Sequence, residues 1–377
     1  MKKILARYFH KKGIDNKRSL LLAKMVIQDW KVSNDSFISK IWALQKGFRP
    51  TRIQQYGLTT ENYKYYLSDV DYFRMHPINN HFAFWVNDKI TLRYMLPNSI
   101  KIGDEEMLLM PKYYLYIEND GHFTYLLDAP NDIAKDINFL YNLLLQKKVL
   151  AMKPSNGDGG AGFVKLYLNE NNICWNEEVI SQQQLTDRLG ILHGYIVTEY
   201  VYQHQQLKKV WPTSENTLRI VAIKNIDDKY DGGKIDVISS YVRFGAKVSK
   251  GVCNMAAGGL NLAFEFNTGK YGEFMNRHKR FCEDDNIRFI AHPDTNESLV
   301  GQSLPHIEKV QAAVYALCNH LSSLEYFGID IIVGDNDVKV LEVNTLPGLD
   351  SMQILDGPLF KNPIAAKFFA KKLSKKG

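Results

Sequence analysis

The stretch GIDIIVGDNDVKVLEVN, residues 328–344, consists of two apolar runs separated by Gly334-Asp335-Asn336-Asp337. Turn-forming residues between two strand-like runs predict a β-hairpin. With the turn centred on Asn336, Asp330 and Glu342 each lie six residues from the centre, so they face each other across the strands. Asn344, two residues beyond Glu342, projects from the same face. Three oxygen-bearing side chains thus converge among Ile331, Ile332, Val333, Val338, Val340, Leu341 and Val343. Burying two carboxylates there is costly unless a cation neutralises them, and hard oxygen ligands suit Mg²⁺. The plainer alternative is an exposed hairpin face with ordinary acidic residues.

Upstream of the hairpin, Ile307, Val310, Val314, Leu317, Leu321 and Leu324 recur at steps of three and four, predicting a helix that Gly328 ends. A second chemical signal is KPSNGDGGAG, residues 153–162, directly after the strand-like run VLAMK. Its four glycines let backbone N–H groups approach an anion, with Lys153 supplying a point charge. The segment runs into the strand-like FVKLYL and lacks a Gly-Lys-Ser/Thr, so it is not a Walker A loop. It reads as a flap over phosphates or as a structural turn. GYIVTEYV ends at Glu199-Tyr200-Val201 and passes into Gln203-His204, where an apolar strand end offers backbone groups to a base edge. Arg219 in NTLRIVAI and Arg243 in SSYVRFG lie on inward strand faces and need anionic partners, either a substrate phosphate or a structural carboxylate. His278, His292, His306 and His320 show no metal-ligand spacing and read as surface or packing residues.

Four regions follow. Residues 1–85 form a helical N-terminal region, including a short helix that Thr60 caps and that carries Tyr63, Tyr66 and Leu67. Residues 86–148 form a small α/β segment with helices at DKITLRYML and NDIAKDINFLYNLLLQKK and a strand in MPKYYLYIEN closed by Asp120-Gly121. Residues 149–201 hold the glycine flap, and residues 202–377 are dominated by the strands TLRIVAIKN and KIDVISSYVRF, a helix and the final hairpin.

The chain is 377 residues long, with 47 Lys and Arg against 41 Asp and Glu, an excess too small to argue for a nucleic-acid partner. Its 45% apolar and 23% charged content excludes a disordered or fibrous chain. The four cysteines, Cys174, Cys253, Cys282 and Cys318, are too far apart for a CxxC site and read as reduced thiols. The basic N-terminus is interrupted every few residues, unlike a signal peptide, and no long apolar run predicts a transmembrane segment. A cytoplasmic protein is expected, peripheral at most to the inner face of the membrane through its basic first helix.

Together these motifs resemble the ATP-grasp superfamily. Asn87-Asp88-Lys89 opening a helix, VLAMKPSNGDGGAGFV, VTEYV, SENTLRIVA and GIDIIVGDNDVKVLEVNTLPGLDS carry the resemblance, the last being similar to the D-alanine ligase pattern. YVYQHQQL, NTLR, MAAGGLNL and HPDT are most similar to the sugar-transfer associated branch. The resemblance implies an α+β fold in which two subdomains clamp ATP. It implies that Lys89 and Lys153 contact the phosphates, that Gly159 and Gly160 cover them, and that adenine lies at Glu199 to Val201 with Gln203 or His204 near the ribose. Asp330, Glu342 and Asn344 would hold two Mg²⁺ ions, with Mn²⁺ an alternative; Arg219, helped by Arg243, would hold the transferring phosphoryl group. Gly348 and Ser351 would contact the acceptor. Gly328 stands where D-alanine ligases carry an arginine, so that charge falls to Arg219 or Arg243. The implied activity is an ADP-forming ligation of a carboxylate to an amine, both small molecules and one of them sugar-linked, that joins an amino acid or amino sugar by an amide bond to a cell-surface polysaccharide precursor. A kinase of the same fold that phosphorylates a sugar or other small molecule and a non-catalytic nucleotide sensor are the alternatives.

Overall fold

The computed structural model describes residues 1–118, 122–157, 162–225, 233–282 and 286–374. Two seven-stranded antiparallel sheets carry the architecture. The C-terminal sheet runs in the order Arg288–Phe289, Tyr271–Arg277, Leu260–Phe264, Lys234–Phe244, Thr217–Asn225, Tyr326–Val333, Val338–Asn344. The middle sheet runs Phe123–Tyr125, Tyr113–Ile117, Tyr195–Glu199, Val149–Pro154, Val164–Asn169, Asn172–Trp175, Glu178–Ile180.

The alternation of each strand decides what covers each face. Leu218, Ile220, Val242, Phe244, Leu260 and Leu262 turn one face of the C-terminal sheet onto Val310, Val314 and Leu317 of the helix Ile307–His320. Full burial of each such side chain contributes about 1.5–3 kcal/mol. The opposite face is apolar only at one end, where Val221, Ile223 and Tyr326 meet Phe368 and Phe369 of the helix Pro363–Ser374 and Leu67, Tyr72 and Met75 of the N-terminal region. Most of its remaining positions, among them Thr217, Arg219, Tyr241, Arg243, Asp330 and Glu342, carry polar side chains and form the candidate site.

Several expectations are corrected. The helix from 307 ends at His320; Leu321 and Leu324 continue its period into a turn that stays buried. Gly328 does not end that helix but lies within the strand Tyr326–Val333. Around Tyr63 there is only a 3-10 turn, Tyr63–Tyr65, whose preceding loop is held by Thr59 Oγ1 accepting from the Glu61 and Asn62 N–H groups, each at 3.2 Å. The helix expected from residue 131 starts at Phe139, because Asp136 Oδ1 takes the Asn138 N–H in a local turn at 2.8 Å. The turn at Asp120-Gly121 and the flap residues Gly159 and Gly160 lie outside the described residues. No helix among the described residues is long and apolar enough to cross a membrane.

Candidate active site

The hairpin forms, and Asp330 pairs directly with Glu342 and Gly328 with Asn344. Beside the turn the register is Val333↔Val338 and Ile331↔Val340, and a bulge between Asp330 and Ile331 shifts it by one residue. That shift sets the two carboxylates opposite each other. On the other flank Arg219 pairs with Asp330 and, across the next strand, with Tyr241. Glu342, Asp330, Arg219 and Tyr241 therefore form one transverse row on the polar face.

Asp330 is 3% exposed and receives two guanidinium groups. Arg219 donates through Nε to Oδ1 and through Nη2 to Oδ2, the latter at 3.1 Å; Arg243 Nη2 donates to Oδ2 at 2.7 Å. Arg243 is itself steadied by Thr217 Oγ1, at 3.1 Å from Nε and 2.7 Å from Nη2. Burial alone would raise the Asp330 carboxyl, but Arg219 and Arg243 outweigh it and hold the group well below the usual carboxylate range. Glu342 behaves oppositely: burial, then the charge of Asp330, push it above its ordinary value against the pull of Lys89.

Lys89 reaches this row from the helix Lys89–Met95. Asp88 caps that helix, accepting from the Thr91 N–H at 2.7 Å. The Lys89 N–H donates to the Ser155 carbonyl at 3.1 Å, and Nζ donates to the Gly157 carbonyl at 3.0 Å and lies 3.4 Å from Glu342 Oε2. Asn87 Oδ1 accepts from Thr345 Oγ1 at 3.3 Å, tying the start of this helix to the end of the hairpin. Lys153, on the strand Val149–Pro154, shares the field: burial, then the Lys89 charge, lower its ammonium to about 8 against the attraction of Glu342 and Asp330. Lys89, Lys153, Arg219, Arg243, Asp330 and Glu342 are thus one largely buried group of four cations and two carboxylates contributed by both sheets and by the helix Lys89–Met95.

Gly328 has a steric reason. A Cβ there would lie 2.9 Å from Pro347 Cβ and 3.1 Å from the Asn344 carbonyl oxygen, so an arginine does not fit at this position. Arg219 and Arg243 instead bring their charge from the neighbouring strands. Asn344 Oδ1 accepts from the Leu346 N–H at 2.8 Å. Ser351 is buried beside the row, its Oγ accepting from Asn261 Nδ2 at 3.0 Å, whereas Gly348 is exposed at the N-terminal end of the short helix Leu349–Leu355.

The segment after the strand Tyr195–Glu199 corrects one expectation. Gln203 is 3% exposed and spends its whole amide inside the chain. Its Nε2 donates to the carbonyls of Ser214 at 2.9 Å and Trp211 at 3.4 Å, and its Oε1 accepts from the Asn216 N–H at 3.0 Å and Nδ2 at 2.6 Å. Gln203 is a buried strut, with no amide atom left for a ribose. His204 caps the helix Gln205–Val210, its Nδ1 accepting from the Gln206 N–H at 3.1 Å while its own N–H donates to the Val333 carbonyl at 2.7 Å. Glu199 Oε2 accepts from the Lys112 N–H at 3.1 Å, and the Tyr200 hydroxyl donates to Glu215 Oε1 at 2.6 Å. Val201, half-buried, follows in the connecting chain. Glu215, Thr217 and Tyr241 were not singled out by sequence reasoning, although Thr217 and Tyr241 stand two residues from Arg219 and Arg243, the signal for a shared face.

Residues 75–366 match the profile of the family described as sugar-transfer associated ATP-grasp, most of the chain. The chain belongs to the sugar-transfer associated ATP-grasp family. Its fold is accordingly the ATP-grasp fold, with N-terminal helices added. Among solved structures it is similar to D-alanyl-alanine synthetase A from Vibrio cholerae at 12% identity and a TM-score of 0.41, over 77% of this chain and 65% of that one. D-alanine–D-alanine ligase from Bacillus anthracis gives 15% identity and a TM-score of 0.36, over 78% and 70%. The ATP-grasp ligase PsnB, complexed with its minimal precursor, Mg and ADP, gives 11% and 0.34 over 71% of this chain, which spans 54% of the PsnB chain. No curated protein matches the sequence.

Proposed function

We propose that this ATP-grasp protein is an ADP-forming ligase that joins a small carboxylic acid to an amine through an acylphosphate, acting in the cytoplasm on a precursor of a cell-surface polysaccharide. The observation that carries the reading is the imbalance of the buried group: Lys89, Lys153, Arg219 and Arg243 against Asp330 and Glu342. A surplus of buried positive charge beside a glycine-rich segment suits a polyphosphate.

The donors also fit a divalent cation. Asp330, Glu342 and Asn344 present hard oxygens on successive cross-strand pairs, and a cation would offset both the burial and the Asp330 charge that raise Glu342. These residues would hold Mg²⁺, or Mn²⁺ in its place, as one or two ions that neutralise phosphate charge when bound. Lys89 and Lys153 then hold the β- and γ-phosphates. Arg219, with Arg243, holds the γ-phosphoryl in transit, exchanging part of its bond to Asp330 for phosphate oxygen. A carboxylate oxygen attacks the γ-phosphorus, the bond to the β–γ bridging oxygen breaks, and ADP leaves. The amine attacks the acyl carbon, phosphate departs, and the amine loses its proton to give the amide. Tyr241 and Ser351 line the acceptor side of the row.

The test supplies hydroxylamine as a general amine with pooled acids and Mg-ATP. Acid-dependent ADP release with hydroxamate formation is expected. Phosphate retained on an alcohol would make the protein a kinase, and nucleotide binding without turnover would make it a sensor. Glu342→Gln is expected to lower turnover by about 100-fold; unchanged turnover would sink the assignment of Glu342 to the metal.

A further inference from the structure

A second transverse row on the polar face begins at the transfer chemistry, at Arg243, and continues beyond it through residues that chemistry does not use. Thr217, Arg243, Asn261, Asn276 and Arg288 are cross-strand partners in succession. Direct partners project from one face, so the row leads from the phosphoryl end at Arg243 toward the sheet edge. Asn261 is 1% exposed and Asn276 5%. Asn261 Nδ2 donates to Ser351 Oγ at 3.0 Å and Asn276 Nδ2 to the Phe274 carbonyl at 3.1 Å, while the Oδ1 of each has no partner. An unpaired buried amide oxygen costs about 1–3 kcal/mol, and two on neighbouring strands call for donors from elsewhere.

The N-terminal region roofs this row. Tyr56 and Phe48 pack on Met255, whose sulfur lies 3.9 Å from Ser351 Oγ. Tyr66 stacks on Tyr56 with centroids 5.1 Å apart and lies within the field of Arg288. The Tyr56 hydroxyl is a further buried polar group on this side, next to Gln353.

We infer that this row is the subsite for the acid to be activated, and that the acid is a hydroxylated one of monosaccharide size, a sugar acid. The inference rests on the ligase reading, because it places the reacting carboxylate at Arg243 and Arg219. Neighbouring strands lie about 4.8 Å apart, so Asn261 and Asn276 stand roughly 5 and 10 Å from the Arg243 position. A small amino acid anchored there ends short of Asn276, whereas the hydroxyls of a pyranose ring reach both amides. Each amide oxygen accepts from a hydroxyl, and Ser351 and Tyr56 donate or accept. An apolar acid of equal size would seal both oxygens away unpaired, the situation in which a site rejects an analogue most strongly.

The unmodified protein is tested with Mg-ATP and hydroxylamine against glucuronate, galacturonate, cyclohexanecarboxylate and D-alanine, and by calorimetry of the same acids with a non-hydrolysable ATP analogue present. Hexuronates are expected to give hydroxamate at least about 100-fold more efficiently than cyclohexanecarboxylate. Asn276→Leu, close in volume, is expected to raise the uronate KM about tenfold with the ATP KM unchanged, and to narrow the preference over cyclohexanecarboxylate. Should that variant unfold, the acid selectivity of the unmodified protein decides. Turnover of D-alanine or cyclohexanecarboxylate but not of uronates would overturn the sugar-acid subsite while leaving the ligase reading intact. Uronate binding without hydroxamate would keep the subsite and remove the ligase reading; no binding and no reaction would remove both.

Discussion

Two buried charge clusters meet at the short helix Leu349–Leu355, and they differ in how their charge is completed. In the N-terminal region Arg49 Nε donates to Asp29 at 2.7 Å, Arg52 Nη2 to Asp69 at 2.9 Å, and Arg52 Nη1 lies 3.5 Å from Asp350. The Arg49 N–H donates to Asp69 Oδ2 at 3.0 Å, and Thr51 Oγ1 donates at 2.6 Å to the Asp29 Oδ2 that also accepts from Arg49 Nε. Nearby His278 is kept neutral, burial lowering it to about 4 against the pull of Asp350. Two arginines thus face three carboxylates, and each arginine has its carboxylate partner within the chain. One residue on, Ser351 borders the cluster of Arg219, Arg243, Lys89 and Lys153, where four cations share two carboxylates. The second cluster carries its surplus as positive charge, which the proposed triphosphate would complete.

The difference is broken first at Asp69. Asp69→Asn leaves Arg52 buried without its main partner and is expected to destabilise the protein by about 3–5 kcal/mol in urea unfolding. A loss below about 1 kcal/mol would show that the N-terminal cluster is not structural. Arg219→Gln should do the reverse. Asp330 keeps Arg243 and the surplus of positive charge falls, so the midpoint of unfolding should barely move. Turnover should nonetheless fall by about 10²–10³ through loss of a charged donor to the phosphoryl group. Equal effects of Arg219→Gln on midpoint and turnover would erase the distinction.

The hairpin was legible because its turn residues and apolar runs are local signals, and the opposition of Asp330 to Glu342 followed from counting. The bulge that achieves it was not, since the count assumes a regular ladder. The strands Leu260–Phe264 and Tyr271–Arg277 escaped reading: the first follows Gly258 and Gly259, the two pair with each other, and their place in the sheet is set by pairing with Lys234–Phe244 and Arg288–Phe289 rather than by a local turn signal. For the same reason Asn261, in plain view within MAAGGLNL, carried no local sign that it would align with Arg243. Gln203 misled in the other direction, because a polar residue at a strand end looks the same whether it meets a ligand or, as here, Asn216 and the Ser214 carbonyl.

A smaller effect sharpens the comparison from within the site. Gly328→Ala places a methyl 2.9 Å from Pro347 Cβ and should cost about 1–3 kcal/mol while pushing aside the turn that carries Asn344. Its signature is a rise in the Mg²⁺ concentration needed for half-maximal turnover, with the KM for acid less affected. A variant as stable and as active as the parent would show that Pro347 yields freely.

The smallest effect is read through pH and concerns Lys153, whose ammonium is lowered from 10.5 to about 8 by burial and then by Lys89. Folding disfavours its protonated form. Between about 8 and 10.5 the unfolded chain therefore binds more protons, and this group makes the ligand-free protein more stable as pH rises through that window. Nucleotide binding has the opposite sign, because a bound triphosphate favours the ammonium. Affinity for a non-hydrolysable ATP analogue should fall with pH above about 8, by at most about tenfold per unit. Lys153→Met should flatten that slope, weaken binding at pH 7, and raise the melting temperature of the free protein by a few degrees, since a buried like charge beside Lys89 is gone. Calorimetry across pH 7 to 9.5 checks the first two and thermal unfolding the third. An unchanged slope in Lys153→Met would assign the titration to another group; a lowered melting temperature would mean that Lys153 supports the fold, as Arg52 does, rather than waiting for a ligand.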